Sequence, residues 1–269
     1  MNDMIIGIKG AGEIASAVAW RLYMANMRKI IMMECSRPLA VRRNVSFCEA
    51  VYDGPHNVEN IKAVLCQNVD EIKRCWQNGA IAVTVDPAWQ MLTQFPVDVV
   101  VDAVLAKQNL GTTMEDAQLV IGLGPGFIAG HDVDMVVETN RGHDLGRIII
   151  SGPAEPNTGI PGNIGSYTEQ RVLRAPAEGR FLSNKEIGDC VKKGEVLGRV
   201  GSAEVVARIS GILRGLIMPN SDVRKGLKIG DIDPRGEKAY CNTISDKARA
   251  ISGSVLEAIL RVFPASQNI

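Results

Sequence analysis

The chain has 269 residues, 46% of them hydrophobic and only 4% aromatic, with 30 Lys and Arg set against 30 Asp and Glu. That is enough apolar material for one large or two modest cores, and it argues against disorder. Balanced charge leaves no global field toward nucleic acid or an anionic membrane, and scarce aromatics leave no base-stacking platform. No apolar run approaches the ~18 residues of a membrane span, and no basic segment precedes the first apolar run as a secretion signal requires. A cytoplasmic protein without membrane or nucleic-acid partners is therefore expected. Six cysteines without a CxxC pair (Cys35, Cys48, Cys66, Cys75, Cys190 and Cys241) point away from a zinc knuckle and toward small buried thiols.

In chain order, an apolar run at residues 4–9 leads into Gly10-Ala11-Gly12, and a helical stripe follows at Ile14, Val18, Leu22 and Ala25. A second strand over residues 29–33 ends at Glu34, about 20 residues beyond the turn, where an acid can receive a ribose hydroxyl pair. Strand, glycine turn, helix, strand and acid make a GxGxxA dinucleotide fingerprint, with Ala15 at the position that serves close helix packing. Gly10, Gly12 and Glu34 are its candidate ligand residues. Arg37, Arg42 and Arg43 follow as either a phosphate contact or a solvated basic face.

Helices are predicted over residues 58–64 and 69–78, then strands over 80–85 and 96–102. Asp102 ends the last of these, at the sheet edge where open α/β folds bind ligands, so Asp102, Lys107 and Asn109 join the candidate site. A strand over residues 119–123 runs into Gly122-Leu-Gly124-Pro-Gly126, read as a cradle that turns backbone N–H groups toward an anion. Strands follow over 134–137 and 146–150, and between them Arg141 and His143 add a guanidinium and an imidazole suited to a phosphate. His131, Asp132, Asp134 and His143 match no metal-ligand spacing, so no metal is expected.

Residues 151–165 are rich in Gly, Pro and Asn and read as a crossing between two units. Beyond them, Gly188-Asp-Cys-Val-Lys-Lys-Gly194 and Ser221-Asp-Val-Arg-Lys-Gly226 form an internal repeat. The repeat resembles the biotinyl/lipoyl β-barrel, and the hairpin between its halves, Gly201-Ser-Ala-Glu-Val-Val206, has no lysine to carry covalent biotin or lipoate. A final amphipathic helix spans residues 245–262, with Ser245 as N-cap and Ile251, Val255, Leu256, Ile259 and Leu260 on its packing stripe. The expected fold class is thus α/β: a Rossmann-like parallel sheet (1–165), a small lipoyl-like β-barrel (166–240) and a carboxyl-terminal helix (241–269) packing back on the core.

Eight stretches carry a further resemblance: Lys9-Gly-Ala-Gly-Glu-Ile-Ala, Val41-Arg-Arg, Glu49-Ala-Val-Tyr-Asp-Gly, Ala106-Lys-Gln-Asn-Leu-Gly-Thr, Gly122-Leu-Gly-Pro-Gly-Phe, Glu138-Thr-Asn-Arg-Gly-His, Lys228-Ile-Gly-Asp-Ile-Asp-Pro-Arg and Ile244-Ser-Asp-Lys-Ala-Arg-Ala-Ile. Over nearly its full length the chain resembles the YqeB-type accessory proteins of the selenium-dependent molybdenum hydroxylase system, related to the XdhC/CoxI group. The resemblance implies a role in maturing, inserting or delivering the molybdenum cofactor. It also implies a molybdopterin-type ligand in the glycine crevice, with molybdenum hydroxylases and other cofactor-maturation proteins as partners. It carries over no catalytic residues.

Two other functions fit the residues. An NAD(P)-dependent oxidoreductase would use NAD or NADP at the same fingerprint, although no Tyr-x-x-x-Lys pair or His–Asp arrangement supplies its proton donor. A non-enzymatic docking adaptor would use the two units as a scaffold. Self-association into a homo-oligomer is compatible with the sequence. Cys241 is a candidate for sulfur or selenium transfer only if its thiolate is stabilised.

Overall fold

The computed structural model describes residues 3–263, so the outer ends of the first and last expected segments lie outside the described residues. The chain divides into two compact units. One comprises the chain through Pro38, Ser46–Asn157 and the stretch from Ile244; the other comprises Leu39–Val45 and Thr158–Thr243.

In the first unit, β1 (Ile5–Lys9) leads through Gly10 to Gly12 into α1 (Glu13–Met24) and then β2 (Lys29–Glu34). After the short α2 (Ala50–Asp53), β3 (His56–Val58) and β4 (Ile61–Leu65) form an antiparallel hairpin. A helix is expected over these residues, and the structure corrects it. Glu59 and Asn60, the two loop residues, have φ of 43° and 68°, the paired left-handed conformation of a two-residue hairpin turn, which no helix can contain. Helix α3 (Val69–Gln77) follows, begun by Asn68, whose side chain accepts from the Glu71 N–H at 3.0 Å while the Glu71 carboxylate accepts from the Gln67 N–H at 2.8 Å. This exchange satisfies the Glu71 N–H, one of the groups that the helix leaves without an internal partner, and the Gln67 N–H just before the cap. The unit continues with β5 (Ile81–Val85), α4 (Met91–Gln94), β6 (Val99–Asp102), β7 (Leu119–Leu123), β8 (Ile128–Ala129), β9 (Met135–Val137), β10 (Ile148–Ile149) and β11 (Gly152–Pro153).

The main sheet has nine strands in the order β10-β9-β7-β6-β1-β2-β5-β4-β3. Strands β9, β7, β6, β1, β2, β5 and β4 run parallel, and an antiparallel strand closes each edge, β10 on β9 and β3 on β4. From β1 the chain crosses to β2 on one side, while β6 fills the other, so the order reverses between β1 and β6. Such a reversal opens a crevice at the carboxyl ends of the strands. Central strand residues Ile6, Ile8, Ile30, Met32, Val99, Val101 and Ile121 are fully buried, as expected of a parallel sheet covered on both faces.

Helix α5 (Asp246–Val262) belongs to this unit and packs along α1. Its start is as predicted: the Ser245 hydroxyl accepts from the Ala248 N–H at 3.3 Å, and Ile251, Val255 and Ile259 are buried, although Leu260 is 39% exposed. The Glu59 carboxylate accepts from the Ile244 N–H at 2.8 Å and from Arg249 at 2.5 Å, tying the start of the helix to the β3–β4 turn.

The second unit consists of β12 (Val172–Arg174), β13 (Gly179–Leu182), β14 (Cys190–Val191), β15 (Val196–Val200), β16 (Ala203–Val206), β17 (Gly211–Leu216), β18 (Asp222–Val223) and β19 (Lys228–Asp233). They form two four-stranded antiparallel sheets, β12-β19-β17-β14 and β16-β15-β13-β18. The two copies of the sequence repeat supply β14 and β18, each at the edge of a different sheet. The expected fold class is corrected on both counts. The first sheet is mixed rather than the parallel sheet of a Rossmann-like unit, because hairpins return the chain at both edges. The second unit is a pair of antiparallel sheets rather than a lipoyl-like barrel, because strands β12 and β16 each bond a neighbour on one side only.

Phe181, Leu213, Leu216, Ile217, Ile229 and Ile232 fill the core of this unit. Beside it runs a buried ionic network: Arg171 and Arg214 both donate to Asp231, Arg214 donates to Asp233 at 3.1 Å, and Arg235 donates to Asp233 at 2.6 Å. Burial alone raises the Asp233 carboxyl, but the Arg235 side-chain and backbone donors and the Arg214 and Arg235 charges outweigh it, leaving Asp233 below its ordinary value. A carboxyl depressed on folding stabilises above its unfolded pKa of about 3.9 and stops doing so as pH falls through the lower folded value. Acid titration from pH 5 toward pH 2 is therefore expected to destabilise wild type more than Asp233→Asn, read by denaturant melts at each pH; parallel curves would refute the assignment.

Candidate functional site

The candidate site lies at the carboxyl edge of β1, β2 and β6. Gly10 takes φ of 92°, and its N–H donates to Met33 O at 2.7 Å. A Cβ there would meet Ala103 O at 3.3 Å, so both conformation and the β6 loop hold the position as glycine. Gly12 differs: its φ is −72°, it caps α1 without a side-chain bond, and a Cβ added to it would meet nothing within 4 Å. The turn therefore has one side closed by protein and one side open, at the positive end of a 12-residue helix.

Glu34 reaches back to this turn. One carboxylate oxygen accepts from the Ala11 N–H at 2.9 Å and the other from the Cys35 N–H at 2.8 Å. The segment after β2 covers the other side: the Cys48 N–H donates to Ala11 O at 2.9 Å, and the Phe47 N–H donates to the Ser16 hydroxyl at 2.7 Å. Burial pushes the Cys48 thiol well up, and the Glu49 and Glu34 charges push it further, so it is no nucleophile at neutral pH.

Asp102 sits opposite Lys9 in the β1–β6 register, and both are almost wholly buried. The Lys9 ammonium donates to the Thr112 hydroxyl at 2.8 Å and to Asp116 at 2.6 Å, and it stands 5.6 Å from the Trp89 ring centroid. The Thr112 hydroxyl in turn donates to Asp102 at 2.6 Å, and the Val104 N–H donates to the other Asp102 oxygen at 3.2 Å. Asn109 folds the same loop, accepting from the Gly111 and Thr112 N–H groups at 2.9 and 2.8 Å and donating to Thr112 O at 2.8 Å. Trp89, Leu105 and Lys107 all take positive φ of 59–63°, costly for residues with a Cβ. Sequence reasoning missed Lys9, Thr112 and Asp116. The available signal was Lys9 itself, a cation closing an apolar strand that the pattern buries.

At the second glycine loop the space beyond each missing Cβ is filled. A Cβ on Gly122 would meet the Phe127 ring at 2.5 Å, on Gly124 the Thr139 hydroxyl oxygen at 2.3 Å, and on Gly126 the backbone N of Gln108 at 2.6 Å. The chain's own atoms thus occupy the space these glycines open. Arg141 is committed as well: both of its terminal nitrogens bond the Asp246 carboxylate, at 2.6 and 2.8 Å, at the start of α5. His143 and Lys107 are exposed. Of the eleven expected site residues, Gly10, Gly12 and Glu34 meet at one turn, Asp102 and Asn109 shape the adjoining loop, Gly122 pairs with Asp102 in the β6–β7 register, Gly126 faces the Lys107–Gln108 backbone, Gly124 faces Thr139 and Arg141 faces Asp246.

No group of three His, Cys, Asp or Glu side chains that could hold a metal occurs among the described residues. His131 pairs with Asp132 at 2.8 Å, and Asp134 accepts from the Val120 N–H at 2.7 Å. In the second unit Cys241 is 2% exposed, and burial pushes its thiol up, which disfavours the thiolate that sulfur or selenium transfer needs. No described helix is long and apolar enough to cross a membrane.

No family model matches the chain. It is 50% identical over 259 residues to the uncharacterized protein YqeB of Escherichia coli K12, a match covering 96% of this chain and 48% of that protein. The chain thus spans about half the length of the curated relative it matches. Among solved structures it is similar to the product-bound ectoine utilization protein EutE (DoeB) of Ruegeria pomeroyi at 12% identity and TM-score 0.26, with 85% of each chain covered. An aspartoacylase family protein of Mesorhizobium loti matches at 13% identity and TM-score 0.27, covering 85% of this chain and 84% of that one. A succinylglutamate desuccinylase/aspartoacylase of Rhodobacter sphaeroides matches at 20% identity and TM-score 0.22, covering 32% and 30%.

The match upholds the likeness to YqeB; that relative is itself named uncharacterized, so the roles expected above, in molybdenum-cofactor maturation, NAD(P)-dependent oxidation or docking, are corrected to that likeness alone. At these TM-scores the likeness to the solved structures transfers neither their fold nor their activity to this chain.

Proposed function

We propose that the first unit is a ligand-binding unit for a dinucleotide, seated at the carboxyl edge of β1 and β2 with its diphosphate over Gly12. The observation that carries this reading is the open side of Gly12 at the amino end of α1, beside the reversal of strand order between β1 and β6. An anion there meets the positive end of the helix dipole. Glu34 stands at the end of β2, where each carboxylate oxygen accepts one backbone N–H and has a second lone pair for a ribose hydroxyl. Its charge opposes a 2′-phosphate, so NAD is favoured over NADP.

The test is titration calorimetry of the whole chain with NAD, NADP and ADP. Saturable binding of NAD in preference to NADP is expected, and Gly12→Val should abolish it at a stability cost of about 1 kcal/mol, the scale of a lost N-cap residue. Gly10→Val is the contrasting variant, losing binding through the fold because its Cβ meets the β6 loop. If NAD and ADP fail to bind at millimolar concentration, or Gly12→Val binds them as wild type does, the assignment is wrong.

A further inference from the structure

A groove of about 450 Å³ lies within the second unit, a volume typical of small-molecule sites. Its walls are β12 and β16, each bonded to a neighbour on one side only. Leu173 and Val205, 2% and 4% exposed, form part of an apolar floor. Five charged side chains stand around it: Arg174, Arg208 and Lys225, with Glu169 and Glu204. Arg174 donates to Gly226 O at 3.0 Å. Among the described residues, the side chains of the other four engage in no ion pair or hydrogen bond, so their charges are available to a ligand.

Two features narrow the ligand. The walls approach within 8 Å between Cα atoms, whereas a strand inserted between two others needs about 4.8 Å on each side. A compact molecule fits and an added β-strand does not. The charges are also mixed: three cations attract an anion, but two carboxylates on the same rim repel a multiply charged phosphate and accept hydrogen bonds from an ammonium. We propose that this groove binds a small zwitterion of amino-acid or dipeptide type, its carboxylate facing Arg174, Arg208 and Lys225, its ammonium facing Glu169 and Glu204, and its apolar frame on the Leu173–Val205 floor. The site is independent of the one at Gly12.

Calorimetric titration of the whole chain with leucylleucine tests this, with N-acetyl-leucylleucine, leucylleucine amide and orthophosphate as controls. Saturable leucylleucine binding is expected. Glu204→Gln and Arg208→Gln, both exposed on the rim, should each weaken it about tenfold, as should capping the matching end of the ligand. Circular dichroism of both variants identifies any loss that comes from misfolding. The proposal is overturned if wild type shows no saturable binding of leucylleucine. It is equally overturned if orthophosphate or the acetylated peptide binds as tightly while Glu204→Gln changes nothing, for the groove would then hold any anion.

Discussion

Asp231→Asn is expected to cost the second unit about 3–5 kcal/mol, the scale of a buried ion pair that loses one partner. Asp231 is 0% exposed and is the common acceptor of Arg171 and Arg214, themselves 6% and 8% exposed. Removing its charge leaves two buried guanidinium groups with a neutral oxygen in place of their shared carboxylate, although Arg171 keeps its bonds to Gly162 O at 3.1 and 2.8 Å and Arg214 its bond to Asp233 at 3.1 Å. Hydrogen exchange at the amides of β17 and β19 is the appropriate readout. Trp20, Trp76 and Trp89 all belong to the first unit, so tryptophan fluorescence reports that unit separately. Protection should fall in β17 and β19. A triple change, Arg171→Met with Arg214→Met and Asp231→Leu, should recover part of the loss, because apolar side chains of similar size need no counter-charge. Unchanged protection in Asp231→Asn would mean that the network contributes nothing net.

Gly126→Ala is the second large effect, with an expected loss of about 2–5 kcal/mol in the first unit, the sum of the strain and overpacking that follow. The residue has φ of 117°, outside the space of L-residues with a Cβ, and the added methyl would meet Gln108 N at 2.6 Å and Lys107 C at 2.8 Å. Those are backbone atoms, which cannot swing aside as a side chain can, so overpacking of about 1–3 kcal/mol adds to a conformational penalty of about 1–2 kcal/mol. A fluorescence-detected denaturant melt measures the loss. Gly142→Ala, in the same unit with nothing within 4 Å of its Cβ, is the control and should stay within about 0.5 kcal/mol. Equal midpoints for the two variants would sink the packing interpretation.

Local signals were legible where one rule governed the outcome. Leu119–Leu123, the α3 segment and the Ser245-capped final helix all follow from apolar period and end residues. The hairpin at His56–Leu65 did not, since its apolar residues fit either period and the turn was encoded in Glu59 and Asn60, residues without a strong turn signature. The two glycine loops look alike in sequence, yet Gly12 faces open space while Gly124 and Gly126 face Thr139 and the Lys107–Gln108 backbone. A glycine needed for a ligand and a glycine needed for packing differ only in what lies beyond the missing Cβ, and that is set by residues far along the chain. Lys9 was hidden for the same reason, being separated from Thr112 and Asp116 by more than a hundred residues yet joined to them in one cluster. The fold-level expectation failed at edges: which strand pairs last, and in which direction, is decided by hairpins rather than by strand composition.

The pairing of α1 with α5 has a bearing on synthesis by the ribosome. Helix α1, in which Ala15, Val18 and Leu22 are buried, is made before its helical partner, Asp246–Val262. From Met24 to Asp246 is 246 − 24 = 222 residues, and at about 5–20 residues per second the nascent chain waits on the order of 10–45 s for that cover. Meanwhile the second unit, whose strands lie wholly within that interval, can form. The unit that holds α1 and α5 is thus begun before the second unit and completed after it, and its nascent form is the state in which chaperone holding of an exposed apolar stripe would matter most.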